Sequence, residues 1–171
     1  MESKFSIGFS TPIKFNIAAY AIREWQHKPY SHVYIKFESQ NIITSIYHAA
    51  GGTVHFMSED NFLKKNKVLV EYEIPIDRAT RLKMINRCMS LSSVKYDYLN
   101  LLKILFHDIS ERWGANVPKT HDGPGYVCSE LVAEFLDEDL GIKIDKPRHL
   151  IKPSDIEEGL LKFFHKRERI G

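Results

Sequence analysis

The chain has few of the features that hold together a very small protein or one embedded in a membrane. Its 171 residues include only two cysteines, Cys88 and Cys128, which excludes the multi-bridge disulfide framework of small secreted domains. No stretch approaches the roughly 18 consecutive apolar residues that a spanning helix needs. The first ten residues lack a basic segment followed by a long apolar one, so no secretory signal is predicted. The expected compartment is a reducing cytoplasm.

An excess of one charge is also missing. The chain has 24 basic and 22 acidic residues, which gives a net charge of +2. So small an excess does not favour a nucleic-acid partner, and the basic run 162–169 is typical of a solvated terminus. The chain shows no repeats, and 43% of its residues are hydrophobic, an ordinary value for a globular protein. Its length predicts one domain over residues 1–171 with its own core.

The first half of the sequence predicts strands around one helix. Alternating and β-branched runs predict strands at 4–9, 30–37, 41–49, 53–57 and 68–76. A short helical turn is expected in the early 60s. Helical spacing predicts a helix over 13–25 that starts near Pro12, with an apolar face formed by Ile13, Ile17, Tyr20, Ala21 and Trp25.

The second half predicts mainly helices. They are expected at 78–91, 97–106, 128–140 and 155–160, the last with Ser154 as its N-cap. Residues 107–125 are typical of an irregular loop. Strands followed by helices indicate an α+β fold, with a curved, mainly antiparallel sheet packed against helices.

Cys128 is the candidate nucleophile. It follows the helix-breaking run 123–125 and opens a predicted helix, where the helix dipole and unpaired N–H groups favour the reactive thiolate. A core role is the alternative, because apolar residues follow Cys128 at spacings of 3, 4, 7 and 8 and free cysteine is often buried. Cys88 lies in a helical pattern of apolar residues and is expected to be a core residue.

Two histidines are the candidate partners of Cys128. His32 begins one predicted strand and could act as its general base, while His48 lies in the next strand. A hairpin turning between residues 37 and 42 would place these two even-numbered residues on one face of the sheet. A neutral His48 could then bind one ring nitrogen of His32 and fix the orientation of the other.

A metal site is the competing interpretation of the same residues. His32, His48 and Cys128 are ligand types that zinc accepts, but no His-x-x-x-His or Cys-x-x-Cys spacing supports it. No metal and no cofactor is therefore predicted. The remaining histidines fall on predicted loops or ends, where surface or capping roles are expected: His27, His55, His107, His121, His149 and His165.

The order of these motifs resembles a known family. Ser31-His32-Val33, Tyr47-His48-Ala49-Ala50, Tyr96-Asp97 and Val127-Cys128-Ser129-Glu130 follow one another as in the circularly permuted papain-like hydrolases, relatives of the NlpC-type peptidases and of lecithin:retinol acyltransferase. In that permuted arrangement the cysteine helix follows the histidine strands, as it does here. The resemblance extends to Phe9-Ser10-Thr11 and to Lys152-Pro153-Ser154-Asp155, and so covers nearly the whole chain.

The resemblance implies a role for each residue. Cys128 would be the nucleophile, His32 the general base and His48 the polar third member, with Glu59 and Glu73 as reserve candidates for the third position. Backbone N–H groups at the start of the cysteine helix would stabilise the oxyanion. A charged Cys128–His32 pair would lower the pKa of the cysteine.

The sequence thus predicts a thiol hydrolase (a peptidase, amidase or acyl hydrolase). Its substrate would be a peptide, a lipid or an acyl amide. A non-catalytic binding or inhibitory module on the same fold is the alternative, and the position of the Cys128 sulfur relative to His32 distinguishes the two.

Overall fold

The computed structural model describes residues 4–39, 42–50, 52–92, 94–95 and 127–168. The predicted helix 97–106, the predicted loop 107–125 and the Tyr96-Asp97 pair lie outside the described residues, as do His107 and His121. The prediction of one domain over 1–171 stays a prediction.

The fold is α+β, as predicted, and is organised around a five-stranded antiparallel sheet. Its strands in spatial order are β4-β3-β2-β1-β5, so β2 and β3, which carry the two candidate histidines, are adjacent interior strands. Their bounds are β1 Lys4–Pro12, β2 His32–Ser39, β3 Ile42–Ala50, β4 Thr53–Ser58 and β5 Asn66–Glu73.

Five α-helices accompany the sheet in the described part of the chain. They are α1 Ile17–Gln26, α2 Glu59–Leu63, α3 Arg78–Leu91, α4 Cys128–Leu140 and α5 Pro153–Glu168, and a short 3-10 turn, Arg148–Leu150, precedes α5. None of these helices is both long and apolar enough to cross a bilayer.

The helix predicted at 13–25 begins four residues later than expected. Pro12 ends β1, opposite Asn66 of β5, and therefore cannot start the helix. Asn16 is the N-cap instead, and its side chain accepts a hydrogen bond from the N–H of Ala19 at 3.0 Å. The predicted apolar face is also wrong, because α1 buries Ala19, Ile22 and Gln26.

The last helix is longer than predicted. It begins at Pro153 and continues to Glu168, so Ser154 lies in its first turn and is not its N-cap. Proline suits the first helical position, because its fixed φ is helical and its missing N–H would have no partner there. The bounds predicted for α4 are confirmed, and that helix ends at Gly141, which has a left-handed φ of 66°.

Alternation along the strands gives the sheet two different faces. Odd-numbered residues of β1 and β2, such as Phe9, Val33 and Ile35, join the main core with α4 residues including Leu131 and Phe135. Cys88 of α3 is fully buried in this core, as predicted. Even-numbered residues of β2 point to the other face, where a second, smaller cluster forms from Tyr34, Ile46 and Phe62.

Charged residues surround that second cluster. The ammonium of Lys36 lies 2.8 Å from a carboxylate oxygen of Glu59, 3.1 Å from one of Glu71 and 3.0 Å from one of Glu38. Glu71 also accepts a hydrogen bond from the Tyr34 hydroxyl at 2.6 Å. These contacts hold α2 against the strands, and α2 carries Phe62.

A buried carboxylate connects the last helix to the start of β2. Glu157 of α5 accepts hydrogen bonds from the Lys28 ammonium and the Tyr30 hydroxyl, both at 2.7 Å, and from the Tyr72 hydroxyl at 3.0 Å. Tyr30 lies two residues before His32 in the chain. The position of α5 is therefore tied to the segment that leads into β2.

Replacement of Gly8 by alanine tests the packing of the second face. A Cβ at Gly8 would lie 2.2 Å from Cζ of Tyr34, and the contacts of Tyr34 with Glu71 and Phe62 restrict movement of its ring. We expect Gly8→Ala to lower the free energy of unfolding by about 1–3 kcal/mol, measured by urea titration.

Gly159→Ala is the control for that substitution. Its Cβ would also meet an atom at 2.2 Å, but this atom is the tip of the Ile144 side chain, which can rotate away. Alanine is also the better helix former by about 1 kcal/mol, so this variant should lose less stability. Equal losses for the two variants would contradict the packing described for Gly8 and Tyr34.

Candidate functional site

The two candidate histidines are in direct contact. Nε2 of His32 lies 3.1 Å from Nδ1 of His48. The pairing of β2 with β3, which sets Ile35 opposite Tyr47, puts His32 and His48 diagonally on one face, as their even numbers predict. The contact uses Nε2 of His32 and leaves Nδ1 as the nitrogen that can exchange a proton with another group.

Burial keeps both imidazoles neutral. It lowers the pKa of His32 to about 4. Burial also lowers the pKa of His48, to about 2, with further contributions from the positive charges of His32, His55 and Lys65. Both rings are therefore uncharged at neutral pH, which is the state in which one ring nitrogen can donate to another that accepts.

The direction of the hydrogen bond between the rings decides whether His32 can act as a base. His32 can accept a proton at Nδ1 only if its own proton sits on Nε2 and is donated to Nδ1 of His48. The proton of His48 is then on Nε2, which is buried without a hydrogen-bond partner among the described residues. An unpartnered buried polar atom costs about 1–3 kcal/mol. In the other tautomer the same Nε2 is an unpartnered acceptor, so this atom alone does not select between the two tautomers.

Two aromatic neighbours of the histidine pair were missed by the sequence analysis. The ring of Phe62, fully buried, packs edge-on to His48 with 5.4 Å between centroids. His55, for which a surface or capping role was expected, lies in β4 within the predicted strand 53–57. It is directly opposite His48, with 4.8 Å between ring centroids. The glycines at 51 and 52 predict a two-residue hairpin turn, which sets Ala50 opposite Thr53 and so His48 opposite His55. The sequence alone could therefore have predicted this pairing.

Cys128 lies on the other side of β2. It begins α4, whose N-terminus has no hydrogen bond from a capping side chain. The backbone N–H groups of Val33 and Ser129 act to lower the pKa of its thiol, so the sulfur lies close to both. Val33 follows His32 in the chain, and the candidate nucleophile is therefore near the peptide unit that carries the candidate base. Among the described residues, no hydrogen bond joins the sulfur to the His32 ring.

The thiolate expected at Cys128 is not favoured in this conformation. Only 4% of the residue is exposed, and burial raises the pKa of the thiol, although three backbone N–H groups, those of Val33, Ser129 and Cys128, act in the opposite direction. The prediction that the pKa of Cys128 is lowered is therefore wrong for this arrangement, because burial outweighs the helix N-terminus. The prediction that Cys128 lies on the buried face of its helix is confirmed.

Two cavities flank the strand start. A cleft of about 530 Å³ is lined by His32, His48 and His55. A cavity of only about 10 Å³ lies beside Cys128, large enough for about one water molecule. Ile22 and Ser31 line both spaces, so they form the wall between the histidine cleft and the sulfur.

The reserve candidates do not replace His48 at His32. Glu59 pairs with Lys36 at 2.8 Å, and Glu73 lies opposite Ser6 in β5. A zinc site is not supported either: within the described ranges, no group of three or more His, Cys, Asp or Glu side chains is arranged to hold a metal ion. The catalytic roles of Cys128, His32 and His48 stay predictions.

Neither a scan against protein-family models nor a search of curated proteins finds a match for this chain.

The pH dependence of stability tests the neutral histidine pair. Because the folded pKa values of His32 and His48 lie below the unfolded value of 6.5, the unfolded chain binds more protons below that pH. Each histidine then contributes stability that is complete above pH 6.5 and falls by up to about 1.4 kcal/mol per unit as pH decreases. We expect His48→Asn to remove about half of this loss between pH 6.5 and 5.5, measured by urea unfolding.

His27→Asn is the matched control for that experiment. His27 is exposed and has a left-handed φ of 52°, a conformation that asparagine adopts readily. This variant should keep the wild-type pH dependence. An unchanged pH dependence in His48→Asn would show that His48 is not buried and neutral as described.

Proposed function

We propose that this protein is a cysteine hydrolase with a permuted papain-like fold, in which Cys128 is the nucleophile, His32 the general base and His48 the residue that orients His32. The observation that carries the proposal is the distance of 3.1 Å between the His32 and His48 rings beside Val33, the residue whose backbone N–H acts on the Cys128 thiol. Cys128, at the start of α4, and His32, at the start of β2, thus lie near the same end of β2. The order of the motifs along the chain supports the same proposal.

The proposed reaction transfers an acyl group twice. Nδ1 of His32 takes the proton of the Cys128 thiol, and the sulfur attacks the acyl carbon of an amide, ester or thioester. The bond to the leaving group breaks, and His32 returns the proton to that group. Water, deprotonated by His32, then attacks the thioester carbon. The bond from that carbon to the Cys128 sulfur breaks, the acid is released, and His32 returns the proton to the sulfur. Backbone N–H groups at the uncapped start of α4 would bind the oxyanion.

The reaction requires a change in the wall formed by Ile22 and Ser31. In the structure this wall separates the sulfur from the histidine cleft, and the sulfur is a buried neutral thiol. Movement of α1, which carries Ile22, would join the two spaces. The opened site would bring the sulfur to Nδ1 of His32, and the negative charge of the thiolate would then raise the low pKa of that imidazole.

A non-catalytic binding module is the second candidate. The observation that favours it is the buried sulfur itself, 4% exposed and without a hydrogen bond to His32 among the described residues. Such a module would use the cleft of about 530 Å³ to hold a ligand and would leave it unchanged. The wall at Ile22 would then remain closed.

Alkylation rates distinguish the two candidates. Because the proposed opening gives Cys128 access to a base, we expect iodoacetamide at pH 7 to modify Cys128 at least about tenfold faster than the buried Cys88, a difference expected from thiolate character and access. His32→Ala should remove most of this preference, and His27→Asn should keep it. Peptide mass spectrometry gives both rates in one sample. Equal, slow labelling of both cysteines in the native protein would contradict the hydrolase and support the binding module.

Truncation of Ile22 tests the wall directly. Ile22→Ala should speed the alkylation of Cys128 several-fold, because it joins the small cavity to the cleft, and should leave the rate at Cys88 unchanged. The control is Met84→Ala in the fully buried core near Cys88, since both truncations cost about 2–5 kcal/mol. If general loss of stability were the cause, Met84→Ala would speed labelling of Cys128 equally, and the proposed wall would be excluded.

A further inference from the structure

Four large apolar side chains are exposed together between β1 and the first turns of α1. Ile13 is 60% exposed, Phe15 80%, Ile17 76% and Tyr20 48%. The Phe15 and Tyr20 rings lie 6.4 Å apart. Isolated exposed apolar residues are ordinary, but a contiguous group of large ones marks an interaction surface. We refer to these four residues as the apolar patch.

The backbone holds the apolar patch in place. The N–H of Ile13 donates to the carbonyl oxygen of Lys65 at 2.9 Å, and the N–H of Tyr20 donates to that of Asn16 at 2.9 Å. Asn16 also caps α1 through its side chain. Because α1 turns Ala19 and Ile22 inward, its residues Ile17 and Tyr20 must point outward. The patch is therefore presented by ordered backbone.

Basic residues outnumber carboxylates around the apolar patch. Lys14 lies between Ile13 and Phe15 in the chain. Three more lysines, Lys64, Lys65 and Lys67, lie in the segment that leads into β5 and along its start, and all four lysines are exposed. The two segments are joined by the pairing of Thr11 with Lys67. Residues 12–23 and 61–70 contain no aspartate or glutamate. The nearest carboxylates in the sequence are Glu24, one helical turn after Tyr20, and Asp60, one helical turn before Lys64. With four lysines against these two carboxylates, the surface keeps an excess of positive charge.

We propose that this surface docks on an anionic lipid bilayer. Phe15, Ile17 and Ile13 would enter the boundary between headgroups and acyl chains, and the four lysines would lie against acidic headgroups. Apolar side chains rimmed by lysines have the composition that binds membrane interfaces. A purely apolar protein partner would not require the surrounding positive charge. The proposal does not depend on catalysis by Cys128.

Docking would also orient the cleft that holds the histidine pair. Pro12, Asn16 and Ala18 line this cleft and are next to members of the apolar patch in the chain. Lys65 also lines it, and its carbonyl oxygen accepts the hydrogen bond from Ile13. The mouth of the cleft is therefore beside the surface that would contact the bilayer. A docked protein would hold His32 near the headgroup region.

Vesicle sedimentation tests the proposal with the full chain. We expect the protein to sediment with phosphatidylcholine vesicles that contain phosphatidylserine at least about tenfold more strongly than with phosphatidylcholine alone. The binding should weaken as salt is raised, because salt screens the lysines. Cys128→Ser should bind as the wild type does, so a failed hydrolase proposal and a failed docking proposal give different results.

Paired variants identify the surface. Phe15→Ser/Ile17→Ser should lower the binding at least tenfold, whereas Leu82→Ser/Met89→Ser should not, although Leu82 is 49% and Met89 65% exposed on α3. Lys14→Gln/Lys67→Gln should weaken binding to the anionic vesicles. Lys143→Gln/Lys162→Gln, which removes two exposed lysines elsewhere, should leave it unchanged.

Three outcomes would overturn the proposal. The first is the absence of vesicle binding by the wild type, and the second is an equal loss of binding in the test and control pairs. Analytical ultracentrifugation could also show a dimer that Phe15→Ser/Ile17→Ser dissociates, without any vesicle binding by the wild type. A second copy of the chain would then be the occupant of the apolar patch.

Discussion

The alternation of side chains along β2 is the constraint on which the rest of the structure depends. Val33, Ile35 and Phe37 point into the main core beneath α4, while His32, Tyr34 and Lys36 point to the opposite face. A continuous strand cannot present neighbouring residues on one side. The residues that the sequence pairs as nucleophile and base therefore belong to different faces, and they approach each other only where β2 begins.

This arrangement makes stability and reactivity compete at the strand start. Burial stabilises the neutral forms of Cys128, His32 and His48, and neutral buried groups avoid the large cost of desolvating a charge. A thiolate–imidazolium pair would need solvent, a substrate dipole or direct contact between the two groups to replace that lost hydration. The helix N-terminus alone does not supply enough compensation here, since burial is the larger influence on the cysteine.

Local periodicity predicted the elements that tertiary packing leaves unchanged. His32 and His48 share a face because the register of β2 with β3 shifts between Phe37 and Ser39. A regular hairpin continued from the pairing of Ser39 with Ile42 would have put them on opposite faces, so their even numbers alone were not sufficient. The apolar spacing after Cys128 did place it on the buried side of α4. The even or odd numbering of the strand residues could not show which face of the sheet α4 would cover. For α1 the predicted apolar face was wrong, because β1 extends to Pro12 and delays the helix until Asn16 can cap it. The apolar spacing indicated that Cys128 is buried, but it did not indicate that burial would outweigh the helix N-terminus and raise the pKa of the thiol.

The carboxylate of Glu157 also affects the order in which parts of the fold can form during synthesis. Its partner Tyr30, just ahead of β2, precedes it by 127 residues, which take about 6 to 25 s to synthesise at ribosomal rates of 5–20 residues per second. The strands can pair during that interval, but the segment leading into β2 has no anchor on α5 until the last helix is made. A nascent chain would thus expose the apolar side of its sheet to chaperones for seconds, and the junction at His32 would be among the last parts of the molecule to become rigid.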